Sequence, residues 1–383
     1  MNSPIYLDCA ATTQPLERVV QEMARVHLDA FGNPSSTHGF GEAPRKALED
    51  AREFLRGTVG AARLVFTSGG TEADVLGLAG AVSHRAPGRV LVGAADHPAI
   101  LAQRDALARS QHRLIEVPVD DGGTMEPEAL FDVLGKDVRC VALLHGHNEL
   151  GSLARLDDLT SLVRRVAPDA HIHVDLVQTY GKVSFDFDDA DVDSVAAAGH
   201  KLHGPRGIGF LALSSEADVV PMLAGGGQEA GLRGGTENVA GAVGLAVAAE
   251  HALSHLAEAR AHMEHLLDDL LDALCREVPN AERLGATERR LPHILSLRLP
   301  GVNGETLQQR AAARGVALSI GSACHAGKDQ DNHVLRAIGL RRRGAREVVR
   351  LSVCPFTTAD EIARAGEILC EEAAAMRAIA PSR

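Results

Sequence analysis

The strongest constraint on the fold is an alternation of apolar runs and helical stretches between about residues 60 and 215. Seven runs in this region are short and mostly apolar: RLVFTS, RVLVGAA, HRLIEVPV, CVALLHG, HIHVDL, DSVAAAG and GIGFLAL. Helical candidates such as EALFDVLG and LDDLTSLVRRVA lie between most of them. Strands that alternate with helices and are buried on both faces predict an α/β domain with a mostly parallel, seven-stranded sheet. Such sheets bind ligands outside the carboxyl ends of their strands.

The rest of the chain predicts a second, smaller α/β domain. A helix-rich stretch over 238–278, long enough for one or two helices, precedes three more strand-like runs: HILSLRLP, VALSIGSAC and REVVRLSV. A chain of 383 residues is also long for a single domain. We expect a large domain over residues 14–250 and a small domain formed by residues 1–13 and 251–383.

Composition and charge narrow the functional classes. A net charge of -12 argues against a nucleic-acid partner or an anionic membrane surface. The N-terminus has no basic start followed by an apolar core, and no run of 18 apolar residues occurs, so neither a secretory signal nor a membrane span is predicted. The six cysteines lack CxxC spacing, which disfavours a zinc site or a disulfide framework and favours a reducing cytoplasm.

Chemically unusual side chains follow several of the predicted strands. In TSGGTEAD a strand runs into Gly70 and Thr71 and then into a helix, and such a helix start suits a phosphate. The same motif is more often a plain helix cap. Further candidates stand after other strands: His97 in ADHPAI, Asn148 in HGHNELG, Asp175 and Gln178 in HIHVDLVQ, and His200 and Lys201 in GHKLHG. The two histidines of HGHNELG have no second cluster with ligand spacing, so no metal is predicted.

Lys201 is the most informative of these residues. A lysine is rarely buried unless it is paired or chemically engaged, although a surface lysine is the ordinary alternative. A phosphate site, the strand-end carboxylate of Asp175 and a buried Lys201 together match the needs of a pyridoxal phosphate enzyme. The amine binds the cofactor covalently, and the carboxylate keeps the pyridine nitrogen protonated so that the ring accepts electrons.

Ten motifs carry a resemblance to a known family. From residue 6 to about 358 they read YLDCAATT, FGNPSSTHGFG, TSGGTEAD, DHPAI, HNELG, HVDLVQ, GHKLHGPRGIG, GGGQEAGLRGGTENV, SIGSACHAG and RLSVCPFTT. In these motifs and their order the chain resembles the cysteine desulfurases, the group that also contains the selenocysteine lyases. The resemblance implies the fold of the class-V aminotransferase-like, fold-type I pyridoxal phosphate transferases, of which aspartate aminotransferase is the model.

The resemblance also implies a role for each cofactor-binding residue. Lys201 would form the Schiff base, Asp175 would pair with the pyridine nitrogen and Gln178 would reach the ring hydroxyl. His97 would stack on the ring and transfer protons. The phosphate would be held by Gly70, Thr71 and His200, with Thr236 contributing across the interface of a homodimer.

For the substrate, the resemblance implies that Asn148 and Arg350 hold the carboxylate of L-cysteine, for which an arginine fork is a natural partner. Cys324 would take the sulfur as a persulfide, alanine would leave, and an acceptor protein would receive the sulfur, as in iron-sulfur cluster assembly. Three alternatives stay open: L-selenocysteine as substrate, a carbon-sulfur lyase in which Cys324 is incidental, and a non-catalytic scaffold with the same fold.

Two departures from the family pattern stand near the predicted site. Ala198 replaces a serine that binds phosphate in many desulfurases, and the loss of this hydrogen bond is expected to weaken cofactor binding by about 1 kcal/mol. Cys354 and Pro355 replace the usual Gly-Arg after the last strand-like run, so a basic group is absent there.

Overall fold

The computed structural model describes residues 4–321 and 332–379 and shows two β-sheets with helices around them. This part of the chain contains the strands β1 (Ile5–Leu7), β2 (Arg63–Thr67), β3 (Arg89–Gly93), β4 (Arg113–Val117), β5 (Val138–Leu144), β6 (His171–Asp175), β7 (Ser194–Ala198), β8 (Gly209–Leu213), β9 (Glu282–Leu284), β10 (Ile294–Arg298), β11 (Val316–Ile320) and β12 (Val348–Ser352). The same residues contain the helices α1 (Glu17–Asp29), α2 (Glu42–Val59), α3 (Gly70–Val82), α4 (Pro98–Leu101), α5 (Arg104–Arg109), α6 (Pro127–Val133), α7 (Leu156–Val166), α8 (Phe187–Ala190), α9 (Val239–Ser254), α10 (Leu256–Glu277), α11 (Gly304–Ala313), α12 (His333–Ala337), α13 (Arg342–Ala345) and α14 (Ala359–Ile379).

The larger sheet has seven strands in the order β2-β8-β7-β6-β5-β3-β4. Strands β4, β3, β5, β6 and β7 are parallel, and β8 runs antiparallel to both of its neighbours. Every residue of β6, β7 and β8 is buried, because helices cover both faces of the sheet. Successive side chains point to opposite faces, so Ala196 and Leu211 pack with α3 while Ala197 and Phe210 pack with the cluster that includes α2 and α9.

The smaller sheet has five strands in the order β1-β11-β12-β10-β9. Strand β1, close to the start of the chain, pairs in parallel with β11, while the other neighbours are antiparallel. Its apolar side chains form a core of their own with α10 and α14, in which Leu266, Leu270 and Leu369 are buried. The N-terminal segment is therefore tied to strands that follow it by more than 300 residues.

The structure confirms the predicted mostly parallel seven-stranded sheet, since each of the seven apolar runs forms one of its strands. Strands β1 and β9 were not predicted, because three residues are too few to show a pattern. The helix-rich stretch forms two helices, α9 and α10, with a bend of 74° at their junction. The limits of the two domains stay a prediction.

Within the described residues, no single helix is both long and apolar enough to cross a membrane. The bent pair of α9 and α10 meets the requirements of length and composition only when the two helices are counted together.

Candidate active site

Eight of the predicted site residues line one cavity at the carboxyl edge of the larger sheet. The cavity has about 690 Å³ of space that no protein atom fills, open solvent included. The eight residues are Gly70, Thr71, His97, Asn148, Asp175, Gln178, His200 and Lys201. Most of them directly follow β3, β5, β6 or β7, so the parallel strands bring together side chains that are far apart in sequence. We call this space the active-site cavity.

One end of the active-site cavity is the start of α3. The first backbone N–H groups of a helix have no partner inside it, and no side chain caps those of α3. Gly70 is required there, because a Cβ at this position would lie 2.6 Å from the Val177 Cγ2 atom. These N–H groups and the helix dipole suit an anion such as phosphate.

Asp175 ends β6 and is buried in the wall of the cavity. Its Oδ1 atom accepts a hydrogen bond of 2.7 Å from the Val177 backbone N–H. Burial, reinforced by the charge of Asp74, raises the pKa of Asp175 to about 8. A carboxylate in this position gains stability from a cation in the cavity, and a protonated pyridine nitrogen is such a cation.

His97 is neutral in this environment. Burial and the positive charges of Lys201 and His333 lower the pKa of His97 to about 4. Its Nδ1 atom accepts a hydrogen bond of 3.1 Å from the Ala99 backbone N–H, so the ring proton lies on Nε2. His97 thereby caps the N-terminus of α4 and keeps one orientation.

Lys201 ends a short 3₁₀ turn that directly follows β7. It is half-buried, so the expectation of a buried lysine is wrong. The Nζ atom donates hydrogen bonds of 2.7 and 2.9 Å to the backbone carbonyls of Ala10 and Ala11. These carbonyls belong to the segment after β1 and hold the amine at the edge of the cavity.

Gln178 and His200 are both held by neighbouring groups. The Gln178 side chain is buried, donates to the Ala10 carbonyl at 3.0 Å and hydrogen-bonds His293 at 3.2 Å. The His200 Nδ1 atom hydrogen-bonds the Thr12 hydroxyl at 3.2 Å. Burial and the Lys201 charge lower the pKa of His200 to about 4.

Arg350 lies beside the active-site cavity and is not among the described residues that line it. Its guanidinium group donates to the Asn148 backbone carbonyl at 2.9 Å and to Asp8 Oδ1 at 2.8 Å. The Arg350 Nε atom is buried and has no hydrogen-bond partner among the described residues. The sequence interpretation missed the pairing with Asp8, which depends on the contact between the N-terminal segment and β12.

Two predicted residues, Thr236 and Cys324, remain to be placed. Thr236 is exposed in the loop before α9 and is not among the described residues that line it. Cys324 lies outside the described residues. Ala198, the position where many desulfurases have serine, does line the cavity, and its Cβ atom faces Gly70.

Asp74 is a cavity residue that the sequence interpretation missed. It is buried beside His173, whose Nε2 atom lies 3.2 Å from the Asp74 Oδ1 atom, and burial raises the pKa of Asp74 well above its usual value. Asp74 stands four residues after Gly70 on α3, a spacing that puts both residues on one face of the helix. This four-residue spacing from Gly70 is the sequence signal that could have placed Asp74 in the site.

The sequence of nearly the whole chain matches a known family. Residues 5–365 match the family model described as Aminotransferase class-V. The chain belongs to this family. It is 36% identical to the cysteine desulfurase NifS of Azotobacter vinelandii over 94% of this chain and 90% of that protein. It is 35% identical to the putative cysteine desulfurase IscS 1 of Bacillus subtilis over 95% of this chain and 97% of that protein.

Solved structures of the family have the same fold. A NifS-like protein with 32% identity superposes with a TM-score of 0.90 over 96% of this chain and 99% of its own. DndA from Streptomyces lividans, with 30% identity, superposes with a TM-score of 0.74 over 91% of this chain and 99% of its own. The predicted fold-type I class, the pyridoxal phosphate cofactor and the cysteine desulfurase class of enzyme are confirmed by these relationships.

Proposed function

We propose that this chain is a pyridoxal phosphate-dependent cysteine desulfurase that converts L-cysteine to L-alanine and passes the sulfur to a cysteine persulfide. One observation carries the proposal: the Lys201 amine, the Asp175 carboxylate and the N-terminus of α3 border a single cavity. These are the groups that the aldehyde carbon, the pyridine nitrogen and the phosphate of this cofactor require.

The residues of the active-site cavity fit the cofactor chemically. The uncapped N–H groups of α3, with Thr71 and His200, would hold the phosphate. Asp175 would hold the pyridine nitrogen in its protonated form. Gln178 has a second amide hydrogen besides the one donated to Ala10, and this hydrogen is available for the ring hydroxyl.

When bound, the cofactor supplies a sink for the negative charge that develops on the substrate Cα. His97 would lie against the ring face and, being neutral with its proton on Nε2, would move a proton at that atom. Lys201 would bind the cofactor covalently and then accept the Cα proton. The carbonyls of Ala10 and Ala11 orient its amine for this exchange.

Arg350 and Asn148 would recognise the substrate carboxylate. One guanidinium nitrogen of Arg350 already donates to the Asn148 carbonyl, and another donates to Asp8. A substrate carboxylate therefore competes with Asp8 for the guanidinium group of Arg350 and draws this side chain toward the active-site cavity. We infer that Asp8 holds Arg350 close to its working position between turnovers.

The remaining parts of the proposal concern residues and partners beyond the cavity. Cys324 would receive the sulfur, and Thr236, exposed before α9, would complete the phosphate site of the second subunit in a homodimer. We propose a cytoplasmic enzyme whose persulfide is handed to a sulfur-acceptor protein. The names of the relatives, cysteine desulfurases NifS and IscS, support the desulfurase reaction that supplies this sulfur.

The test is alanine release from L-cysteine and from L-selenocysteine by the purified wild type and by Cys324→Ala. We expect release from L-cysteine to fall by on the order of 10³-fold in the variant, because the sulfur then has no nucleophile to receive it. Turnover of cysteine that is indifferent to Cys324 would identify a carbon-sulfur lyase, and turnover of selenocysteine alone would identify a selenocysteine lyase.

A further inference from the structure

A second cavity lies on the other side of Lys201. It has about 570 Å³ of empty space, open solvent included, and is mostly apolar, with Met263 and Phe356 in its wall. Lys201 borders both this space and the active-site cavity. Two cysteines, Cys9 and Cys354, also line it, and we call it the thiol cavity. The proposed desulfurase reaction uses neither cysteine.

The two cysteines lie close together in the wall of the thiol cavity. Cys9 follows β1 and Cys354 follows β12, and a backbone hydrogen bond of 3.3 Å from Cys9 N–H to the Ser352 carbonyl holds the two strand ends together. The interaction between the two side chains lowers the pKa of Cys354 and raises that of Cys9. One sulfur is thus prepared as a thiolate nucleophile and the other as a protonated neighbour.

Two further groups stabilise a thiolate at Cys354. The Thr357 hydroxyl donates to its sulfur at 3.7 Å. The interaction with His203 also lowers the pKa of Cys354, and the His203 ring is fixed because its Nδ1 atom donates to the Gln14 carbonyl at 2.8 Å. His203 is held there in a left-handed backbone conformation, with a φ of 64°. Such strain in a residue other than glycine is retained where the surroundings fix its position.

The thiol cavity also contains two buried nitrogen atoms that have no partner in the described part of the chain. Lys182 is 8% exposed, and its Nζ atom has no hydrogen-bond partner within residues 4–321 and 332–379. The buried His293 ring has an Nδ1 atom that is likewise without a partner in those residues. A buried amine without a partner is costly, and an anion in the cavity removes that cost.

The lining therefore selects a particular kind of anion. An apolar wall disfavours strongly hydrated oxyanions, an anion beside Lys182 stabilises the charged form of its amine, and the two thiols favour sulfur. A hydropolysulfide ion, which carries sulfur at a low charge density, meets all three conditions. The mouth has an aromatic border, since Phe356 is exposed, stacks on His251 at 5.9 Å and packs edge-on against His203 at 5.0 Å.

We propose that the thiol cavity is a second sulfur site, in which Cys354 takes a sulfur atom from a hydropolysulfide ion and Cys9 then releases it as hydrosulfide. This site goes beyond the desulfurase reaction and does not depend on it. Its chemistry begins from an inorganic sulfur donor and uses thiols separate from Cys324.

Both steps balance. The Cys354 thiolate attacks one sulfur of the polysulfide, a new S–S bond forms, and the shortened polysulfide leaves with the electron pair of the broken bond. Cys9 then attacks the Cys354 sulfur and its proton passes to the leaving hydrosulfide. The two thiols lose two electrons as they become a disulfide, and the transferred sulfur gains two.

The test uses the cofactor-loaded Cys324→Ser enzyme, treated with sodium tetrasulfide and analysed by peptide mass mapping and sulfide release. We expect a disulfide between the peptides of Cys9 and Cys354, together with an equimolar amount of sulfide. In Cys9→Ser the reaction stops at a persulfide on Cys354. In Cys354→Ser neither product forms. Because Cys324 is absent throughout, failure of the desulfurase proposal and failure of this one are distinguishable.

Two controls complete the experiment. Cys370→Ser removes another half-buried thiol, outside the cavity, and leaves both products unchanged. Lys182→Met slows formation of the disulfide by about tenfold, the effect of one lost charged hydrogen bond. The proposal is overturned if Cys354 gains sulfur no faster than the exposed Cys275, or if Cys354→Ser and Cys370→Ser behave alike.

Discussion

The two cavities that meet at Lys201 differ in how they are built. The active-site cavity is bordered by side chains that follow parallel strands of one sheet, and it has carboxylates in its wall. The thiol cavity lies where the N-terminal segment, β12 and α10 approach the larger sheet, and its wall is apolar with lysine, histidine and cysteine. The active-site cavity suits a charged ring that carries a phosphate, and the thiol cavity suits a sulfur anion of low charge density.

This difference shows how burial directs chemistry. Burial raises the pKa of Asp175 to about 8 in the first cavity and lowers the pKa of Lys182 to about 7 in the second. Both shifts favour the neutral form, and each is relieved by a ligand of the opposite charge. The sign of the buried group therefore indicates the sign of the ligand.

The largest expected effect is a loss of activity that distinguishes Lys201 from Lys182. Lys201→Ala should lower alanine release from L-cysteine by on the order of 10³-fold or more, since it removes both the covalent link to the cofactor and the proton acceptor. The visible absorbance of the lysine-bound cofactor should disappear as well. Steady-state kinetics and absorbance spectra of the purified variants measure both effects.

Lys182→Met is the matched control for this prediction. Lys182 lines only the thiol cavity, so the absorbance of the bound cofactor should be that of the wild type. Loss of the cofactor absorbance in Lys182→Met, with retention in Lys201→Ala, would reverse the assignment of the two lysines.

A smaller loss of activity distinguishes two buried carboxyl groups near the same sheet edge, Asp175 and Asp96. Asp175→Asn should lower alanine release by roughly 10²-fold, because an amide does not keep the pyridine nitrogen protonated. Asp96 is equally buried, but its Oδ2 atom accepts from the Gly93 backbone N–H at 2.8 Å and it is not among the described residues that line the cavity. Asp96→Asn should therefore leave the cofactor spectrum unchanged. Equal kinetic losses in both variants would contradict the role proposed for Asp175.

The last expected effect is a pH dependence of stability with opposite signs in the two regions. Burial raises the pKa of Asp96 from 3.8 to about 8, so between these values the folded protein holds a proton that the unfolded chain has lost. The free energy of unfolding should fall there as the pH rises. Burial lowers the pKa of Lys182 from 10.5 to about 7, so the unfolded chain holds the extra proton in that range and the free energy should rise.

Urea unfolding of the wild type, Asp96→Asn and Lys182→Met at several pH values measures these two slopes. Relative to the wild type, Asp96→Asn should gain stability as the pH rises from 4 to 8, and Lys182→Met should lose it from pH 7 to 10.5, each by on the order of a few kcal/mol. Histidine contributions are common to all three proteins and cancel in the differences. Identical slopes in all three would show that neither group carries its shifted pKa.

Much of the larger sheet could be predicted because its strands are continuous apolar runs, each ended by a recognisable motif. The same continuity placed Gly70, His97, Asp175 and Lys201 at strand ends, where parallel strands must bring them to one edge. Strands β1 and β9 escaped prediction, since three-residue strands are defined by their partners rather than by a pattern of their own.

Contacts between distant segments could not be predicted at all. The pairing of Asp8 with Arg350 joins residues 342 positions apart, and no local signal marks either as the partner of the other. The half-buried state of Lys201 was also missed, because it depends on the carbonyls that the segment after β1 presents to its amine.

The sequence by itself determined the order along the chain of the strands in the larger sheet, the motifs of the family and eight of the residues that border the active-site cavity. Local patterns suffice for these features, because each residue is placed by the element that contains it. Only the tertiary structure decided that Cys9, Lys182 and Cys354 line a second cavity behind Lys201. Their meeting depends on how β1 and β12 pack against the larger sheet, and such packing is a property of the whole chain.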